Sequence, residues 1–346
     1  MLGLTTSDAS PVPPTEAGRA AARASWTQRL QRLLHQHPAL SPLVILLIIA
    51  VVFTAVNPRF GNPQTLSLLL QQTAVIAALA VGQTLVILTA GIDLSVGAVA
   101  ILVALVSAEL VTSAGLPAWA ALLCGVALGL LAGAFNGLLV TRVALPPFIV
   151  TLASLSIFTA IGLMVSQAQS TQAKDMPPLM SWTGTTFAVG PFSVTTGVLI
   201  VLAMYAAIGF ALSRTPWGTH VYAVGGDSEA ARLAGIRVRT VTMSVYVIAG
   251  LTYALAAWVL IGRAGAASPN AAVDANLQSI TAVVIGGTSL FGGRGGLVGT
   301  LLGALIVQSL TVGLSLAGID AQVRLLAVGA LVLFAVALDQ WIRRSK

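Results

Sequence analysis

Residues 66–90 read LSLLLQQTAVIAALAVGQTLVILTA and contain no charged side chain. A helix needs about 20 predominantly apolar residues to cross the hydrocarbon core of a bilayer. Lipid offers no partners to backbone N–H and C=O groups, so an apolar run of this length must satisfy them internally as a helix. The stretch therefore predicts a membrane-spanning helix, and similar stretches recur along the chain.

We predict an all-α, polytopic membrane helix bundle of about ten transmembrane helices, with both termini cytoplasmic. The predicted spans are 41–57, 66–90, 94–113, 116–140, 146–168, 192–213, 241–262, 277–292, 296–317 and 322–341. The apolar runs are continuous rather than alternating, which argues against an outer-membrane barrel. The least certain boundaries lie at Gly91-Ile92-Asp93 and at Gly292-Gly293-Arg294-Gly295-Gly296.

The composition excludes several classes of protein. Of the chain, 57% is hydrophobic and 8% is charged, whereas soluble domains carry about 25% charged residues. The single cysteine, Cys124, excludes a disulfide-stapled fold. The only two lysines, Lys174 and Lys346, do not follow glycine, so the chain has no phosphate-binding loop of the Walker type. The net charge of +7 is not gathered into a basic groove, so we expect no nucleic-acid partner.

The basic residues support the predicted topology. With both termini inside, only Arg59, Lys174, Arg263 and Arg324 fall outside, and the other 13 of the 17 basic residues face the cytoplasm. This asymmetry follows the positive-inside rule. Residues 1–40, rich in Ala, Pro, Ser and Thr, are predicted to form a cytoplasmic lead, largely disordered and then interfacial. Residues 41–342 are predicted to form one transmembrane domain.

Ionisable groups inside the predicted spans are scarce. This scarcity bears on what would drive the protein if it transports a solute actively. Asp93 and Glu109 are the main exceptions, and both lie near span ends. Ion-coupled carriers usually place such groups at mid-membrane depth. His35, His37 and His220 form no cluster typical of a metal site or a membrane enzyme. We therefore expect any energy source to lie on another chain.

The longest predicted cytoplasmic loop, residues 214–240, contains a short helix that is far too short to span. Asp227 or Ser228 can cap its first turn, Glu229 suits the positive end of the helix dipole, and Gly235 suits its end. Ala230, Ala231, Leu233 and Ile236 are expected to be exposed. A docking helix for a cytoplasmic partner is the favoured interpretation, and a surface helix lying on its own bundle is the alternative. The predicted docking residues are Asp227, Ser228, Glu229, Ala230, Ala231, Arg232, Leu233, Ala234, Gly235 and Ile236.

Glycines and one acid mark two predicted helix breaks. Asp93 is expected to cap the helix that follows it, a structural role favoured over contact with a solute. The glycine pairs at 286–287 and 292–293 permit a second break about 200 residues later, which hints at two related halves. Glycine repeats at 125–137 and 295–303 predict close helix packing. The predicted structural or gating residues are Gly91, Asp93, Ser95, Gly97, Gly286, Gly287, Gly292 and Gly293.

Four segments together resemble the membrane permease subunit of bacterial ATP-binding-cassette importers, in particular the ribose/xylose/arabinose-type sugar permeases. The segments are VGQTLVILTAGIDLSVG at 81–97, LPPFIVTL at 145–152, GGDSEAARLAGI at 225–236 and ITAVVIGGTSLFGGRG at 280–295. The family more often has a small residue at Pro147 and usually has Asn where Asp227 stands. The similarity covers roughly residues 40–340.

The resemblance implies an inner-membrane importer that works by alternating access. Its expected partners are ATPase subunits that bind ATP and Mg, a second permease subunit, identical or not, and a periplasmic or lipid-anchored sugar-binding protein. No cofactor is expected in this chain, which is a transport subunit rather than an enzyme. A monosaccharide is the expected solute. Autoinducer-2, a nucleoside or a branched-chain amino acid are alternatives, as is an ion-coupled secondary carrier.

Overall fold

The computed structural model describes residues 40–344 except residue 273. The predicted cytoplasmic lead, residues 1–40, lies outside the described residues apart from Leu40, so its structure and the domain boundary stay predictions. Thirteen α-helices make up most of the described part. Their bounds are α1 Leu40–Val56, α2 Pro63–Leu88, α3 Val96–Thr112, α4 Ala118–Thr141, α5 Pro147–Val165, α6 Pro178–Ser181, α7 Thr196–Arg214, α8 Pro216–Gly226, α9 Ser228–Leu233, α10 Val238–Ala264, α11 Ala275–Ile285, α12 Leu297–Leu316 and α13 Ala321–Arg344.

Strands are few and short in this part of the chain. Thr171–Gln172 (β1) pairs antiparallel with Ala266–Ala267 (β4), and Thr186–Val189 (β2) pairs with Phe192–Thr195 (β3) as a hairpin. The β2–β3 hairpin occupies the start of the span predicted at 192–213, so that prediction is wrong in its first residues. The helix itself begins at Thr196.

The all-α polytopic membrane bundle is confirmed. Six described helices are long and apolar enough to cross a membrane: α2, α4, α5, α7, α10 and α12. Four shorter apolar helices, α1, α3, α11 and the described start of α13, coincide with the remaining predicted spans. The number of membrane crossings and the sidedness of the termini stay predictions. The span predicted at 277–292 is too long, because α11 ends at Ile285.

Helix α2 lies at the centre of the bundle. Every residue from Thr73 to Leu88 is buried, so this helix is covered on all sides by protein. That position explains why the sequence of α2 is apolar all round rather than amphipathic. Helix α10 packs along it, with Tyr246 and Tyr253 among the largest fully buried side chains.

The glycine repeat of α4 permits its close crossing with α10, as predicted. A Cβ atom on Gly129 would lie 2.5 Å from the carbonyl oxygen of Gly250 and 2.7 Å from the Cβ of Ala254. A Cβ atom on Gly133 would overlap the carbonyl oxygen of Tyr246. Backbones approach this closely only where side chains are absent, which is how small residues hold membrane helices together.

The turn between α2 and α3 is held by a buried polar network around Asp93. The Asp93 side chain is 1% exposed. Its Oδ1 accepts bonds from the N–H (2.8 Å) and the hydroxyl (2.6 Å) of Ser95, and its Oδ2 accepts one from the Tyr253 hydroxyl (3.1 Å). The Asn136 amide donates to the Ser95 hydroxyl (2.9 Å), and the Ser154 hydroxyl donates to the Asn136 carbonyl (2.5 Å). Four parts of the bundle, the turn and helices α4, α5 and α10, therefore meet in one network.

This geometry corrects the predicted cap. The N–H that Asp93 accepts from belongs to Ser95, one residue before α3 begins at Val96. The carboxylate thus stabilises the turn ahead of the helix rather than the first helical N–H groups. The structural role is retained: one partner, Ser95, is local, and the other, Tyr253, comes from α10.

Replacing Gly133 by leucine should separate α4 from α10. Overpacking of a tight contact costs about 1–3 kcal/mol, and here the obstructing atom is backbone. We expect a lower unfolding temperature and less monodisperse protein in detergent, measured by thermal-shift assay and size-exclusion chromatography. Ala127→Leu places the same leucine side chain on the exposed face of α4 and should leave both unchanged. Equal behaviour of the two variants would contradict the close crossing.

Substituting Asp93 by alanine should destabilise the bundle more than substituting it by asparagine. Alanine leaves the donors of Ser95 and Tyr253 without an acceptor, and each unsatisfied buried group costs about 1–3 kcal/mol. Asparagine keeps one acceptor oxygen, so its effect should be smaller. Thermal unfolding in detergent measures the order, with exposed Asp175→Ala as the control. The network would have no stabilising role if Asp93→Ala unfolded at the temperature of the control.

Candidate functional site

The predicted short helix exists as α9, and Asp227 caps it. The Asp227 carboxylate accepts bonds from the N–H groups of Glu229 (2.9 Å) and Ala230 (3.0 Å). The N–H of Asp227 also donates to the carbonyl of Ala223 in α8 (3.1 Å). Asp227, rather than Ser228, is therefore the cap, and it joins α8 to α9 with no flexible linker between them.

The end of α9 is closed by a Schellman motif. Ile236 N–H donates to the Ala231 carbonyl (3.0 Å), and Gly235 N–H donates to the Arg232 carbonyl (3.0 Å). Gly235 has φ +86°, a left-handed conformation that disfavours residues with a Cβ atom. Both ends of this two-turn helix are thus fixed by local bonds, which gives it a defined shape without tertiary packing on most of its surface.

One ion pair lies on the surface of α9. Arg232 donates through Nε to Glu229 Oε2 (3.0 Å) and through a second nitrogen to Oε1 (2.5 Å). The hydrogen bond from Arg232 lowers the pKa of the Glu229 carboxyl, so the pair is ionised at neutral pH. Exposed pairs contribute little to stability. The opposite charges of Glu229 and Arg232 cancel each other on the surface of α9.

The exposure of α9 differs from the prediction at two residues, Ala231 and Ile236. Ala230 and Leu233 are exposed as expected, with Leu233 at 76%. Ala231, predicted to be exposed, is buried at 5% because its face of α9 packs on the rest of the protein. Ile236 is half-buried, and Ser228 and Ala234 are exposed. The accessible apolar surface of α9 is therefore centred on Leu233.

Sequence reasoning missed α8, the helix that leads into α9. The Thr215 hydroxyl caps it by accepting from Gly218 N–H (3.4 Å), and Pro216 occupies the first helical position. The Trp217 indole donates to the Ser244 hydroxyl of α10 (2.8 Å). The threonine-proline pair was a usable signal, because proline is favoured at the first position of a helix. The prediction of a loop with one short helix over residues 214–240 does not include α8.

The two predicted helix breaks come together beside α8. The N–H of Gly293 donates to the carbonyl of Leu88 (3.0 Å), which joins the second break to the end of α2. The Tyr222 hydroxyl of α8 donates to the carbonyl of Gly295 (3.0 Å). Predicted breaks about 200 residues apart in sequence are therefore one structural unit. Asp93 and Ser95 lie in the polar network described above.

Three of the remaining predicted gating glycines, Gly91, Gly97 and Gly286, make close contacts. Gly97 N–H donates to the Asn276 side chain (2.5 Å), which ties the start of α3 to α11. A Cβ atom on Gly286 would overlap the backbone of Gly299, and Gly287 has a left-handed φ of +86°. A Cβ atom on Gly91 would lie 3.2 Å from the hydroxyl oxygen of Tyr246.

A cavity of about 760 Å³ lies between α7, α8 and the second break. Its lining includes Tyr205, Tyr222, Gly286, Gly287, Gly295 and Gly296. Both tyrosine hydroxyls are engaged, since Tyr205 donates to the Ala77 carbonyl (3.1 Å) and Tyr222 donates to Gly295. Over the described part of the chain, no group of three His, Cys, Asp or Glu side chains could hold a metal ion.

Comparison with known proteins agrees with the segments quoted from the sequence. A family model described as the permease component of the branched-chain amino acid transport system matches residues 65–336. The fructose import permease protein of Rhizobium meliloti is 44% identical, over 92% of this chain and 89% of its own length. The ribose import permease proteins of Bacillus subtilis and Escherichia coli are 37% and 36% identical, over 87% and 86% of this chain and 92% of their own length. No solved structure matches significantly.

These relatives span nearly the whole chain, including α2, both helix breaks and α8–α9. The D-allose and xylose permeases of Escherichia coli are 34% and 32% identical over 87% of this chain. Since the family model covers most of the chain and these relatives match it almost end to end, the protein belongs to this family of transport-system permeases and, within it, is similar to sugar import permeases.

Proposed function

We propose that the protein is the membrane-spanning subunit of an ATP-binding-cassette importer that carries a monosaccharide across the bacterial inner membrane. The observation that carries the proposal is α9, a short helix capped at both ends that presents Leu233 to solvent in a chain otherwise built for the membrane. A free helix of six residues would be unstable in water. Caps at both ends hold α9 in a helical shape before a partner binds it, which is what a docking helix needs.

The proposed partner at α9 is an ATPase subunit. Leu233 supplies the apolar contact, and the exposed Glu229–Arg232 pair on the same short helix supplies polar groups, as at an interface with an apolar centre and a polar rim. ATP and Mg would be bound by that partner. A second permease subunit, identical or different, would complete the pathway, and a periplasmic or lipid-anchored binding protein would deliver the solute at the opposite end.

Fructose and ribose are the first solutes to test, because permeases named for them are 44% and 37% identical to this chain. The scarcity of charge, 8% of all residues, suits an uncharged, hydroxyl-rich solute. Autoinducer-2, nucleosides and branched-chain amino acids are the alternatives within the same class of importer. The family description names branched-chain amino acids, so leucine belongs in the test panel.

Reconstitution separates the importer from an ion-coupled carrier. Proteoliposomes containing this chain with its ATPase and binding protein should accumulate radiolabelled fructose or ribose only with ATP inside the compartment that holds the ATPase. The chain alone, under a sodium or proton gradient, should accumulate neither, because the Asp93 carboxylate is engaged in internal bonds. Gradient-driven uptake by the chain alone would refute the importer.

Substitutions in α9 should abolish uptake without preventing membrane insertion. Glu229→Arg removes the ion pair and places two like charges on the docking surface. Gly235→Trp forces a side chain into a left-handed position, at a cost of about 1–2 kcal/mol, and adds bulk beside Leu233. We expect both variants to reach the membrane in normal amounts, to lose the ATPase on co-purification and to lose ATP-driven uptake.

Gly115→Trp is the matched control for Gly235→Trp. Gly115 also has a left-handed φ (+67°) and open space around it, but it lies in the α3–α4 turn. Its variant should keep the ATPase and the uptake. Normal uptake by Gly235→Trp or Glu229→Arg would show that α9 is not the docking helix.

A further inference from the structure

The end of α8 makes a backbone-to-backbone contact with both helix breaks. A Cβ atom on Gly225 would overlap the carbonyl oxygen of Leu88 and lie 2.7 Å from the nitrogen of Gly293. A Cβ atom on Gly292 would lie 2.6 Å from the carbonyl oxygen of Gly225. We call the backbone of Leu88, Gly225, Gly292 and Gly293 the glycine contact. No side chain of these glycines separates the three backbone segments. A displacement of the end of α8 must therefore displace the end of α2 and the second break, or leave a gap between them.

The glycine contact is close in sequence to α9, since Gly225 lies two residues before the capping residue Asp227. Gly226 ends α8, and the next residue, Asp227, caps α9 while donating its own N–H back to Ala223. The polypeptide between the exposed helix and the buried contact therefore has no free segment. Movement imposed on α9 passes directly to Gly225.

Two further bonds define how α8 is attached. At its first turn, Trp217 donates to Ser244 of α10 (2.8 Å). Near its last turn, Tyr222 donates to the carbonyl of Gly295 in the second break (3.0 Å). Helix α8 is thus attached to the core at its start and to the breaks at its end, and its end is the part adjoining α9.

Each break continues into helices that line other parts of the bundle. The Leu88 carbonyl ends α2, whose following turn is held by the Asp93 network, and Gly293 precedes α12. The cavity of about 760 Å³ is bounded by Tyr222 and by glycines of the second break. A shift at the glycine contact would therefore alter both the α2–α3 turn and the wall of this cavity.

We propose that Gly225 and Tyr222 are positioning residues that transmit movement of α9 to both helix breaks at once. This inference rests on the proposed function, since it supposes that an ATPase moves α9. This transmission requires two features: a residue without a side chain at position 225 and the hydroxyl group of Tyr222. Neither residue is part of the proposed docking surface, so changing them separates transmission from docking.

The test compares Gly225→Ala with Gly226→Ala in the complete complex of permease, ATPase and binding protein. The two positions are neighbours in one helix, but a Cβ atom on Gly226 meets open space. We expect both variants to retain the ATPase on co-purification. Gly225→Ala should lower the radiolabelled fructose or ribose carried per ATP hydrolysed by at least about 10-fold, within the usual range of coupling between sites, while Gly226→Ala should match the wild type.

Tyr222→Phe keeps the proposal testable if Gly225→Ala does not fold. It removes one neutral hydrogen bond, so transport per ATP should fall by about 2- to 10-fold with ATPase binding intact. Failure of the wild type to bind the ATPase would overturn the proposed function itself. Normal transport per ATP in Tyr222→Phe, or in a folded Gly225→Ala, with a wild-type complex that binds and transports, would overturn only the transmission role.

Discussion

The hydrogen bond from Gly293 N–H to the Leu88 carbonyl closes the two interrupted parts of the bundle on each other. A helix that stops inside a membrane protein exposes carbonyl and N–H groups that lipid cannot satisfy. Here the end of α2 finds its partner in the second break. The turn beyond it is satisfied by Asp93, Ser95 and Tyr253. The interruptions are therefore tolerated because the second break supplies an N–H donor and the end of α2 supplies the carbonyl that accepts it.

Close backbone packing extends from this bond through the structure. Gly129 and Gly133 of α4 lie against α10, and Gly299 and Gly303 of α12 lie against α11. Membrane helices gain little from excluding water and depend on van der Waals contact between close surfaces. Because packed interiors shift between discrete arrangements rather than deforming smoothly, contacts of this kind move helices as units. That is the property needed to carry a displacement from α9 to distant helices.

Local patterns in the sequence predicted much of this structure. Apolar runs located the helices, since hydrophobic length is set by the bilayer, and Asp227 and Gly235 located α9, since caps act within a few residues. Contacts over long separations were not predictable: Tyr253 reaches Asp93 across 160 residues. The burial of Ala231 was missed for the same reason, because two turns of sequence do not reveal which face meets the bundle. The predicted spans 192–213 and 277–292 have one wrong boundary each, because apolar residues continue before the start of α7 and beyond the end of α11.

The buried carboxylate of Asp93 bears on how energy enters the bundle. At 1% exposure, with both oxygens accepting bonds from the protein, it serves the turn that it stabilises. Arg294 of the second break is exposed, as are Glu229 and Arg232 on α9. Under the proposed function, energy for movement arrives as force on α9 rather than as an ion crossing the bundle. In the proposed transmission, the α8–α9 unit, short and capped at each joint, delivers this force to the backbone of both breaks.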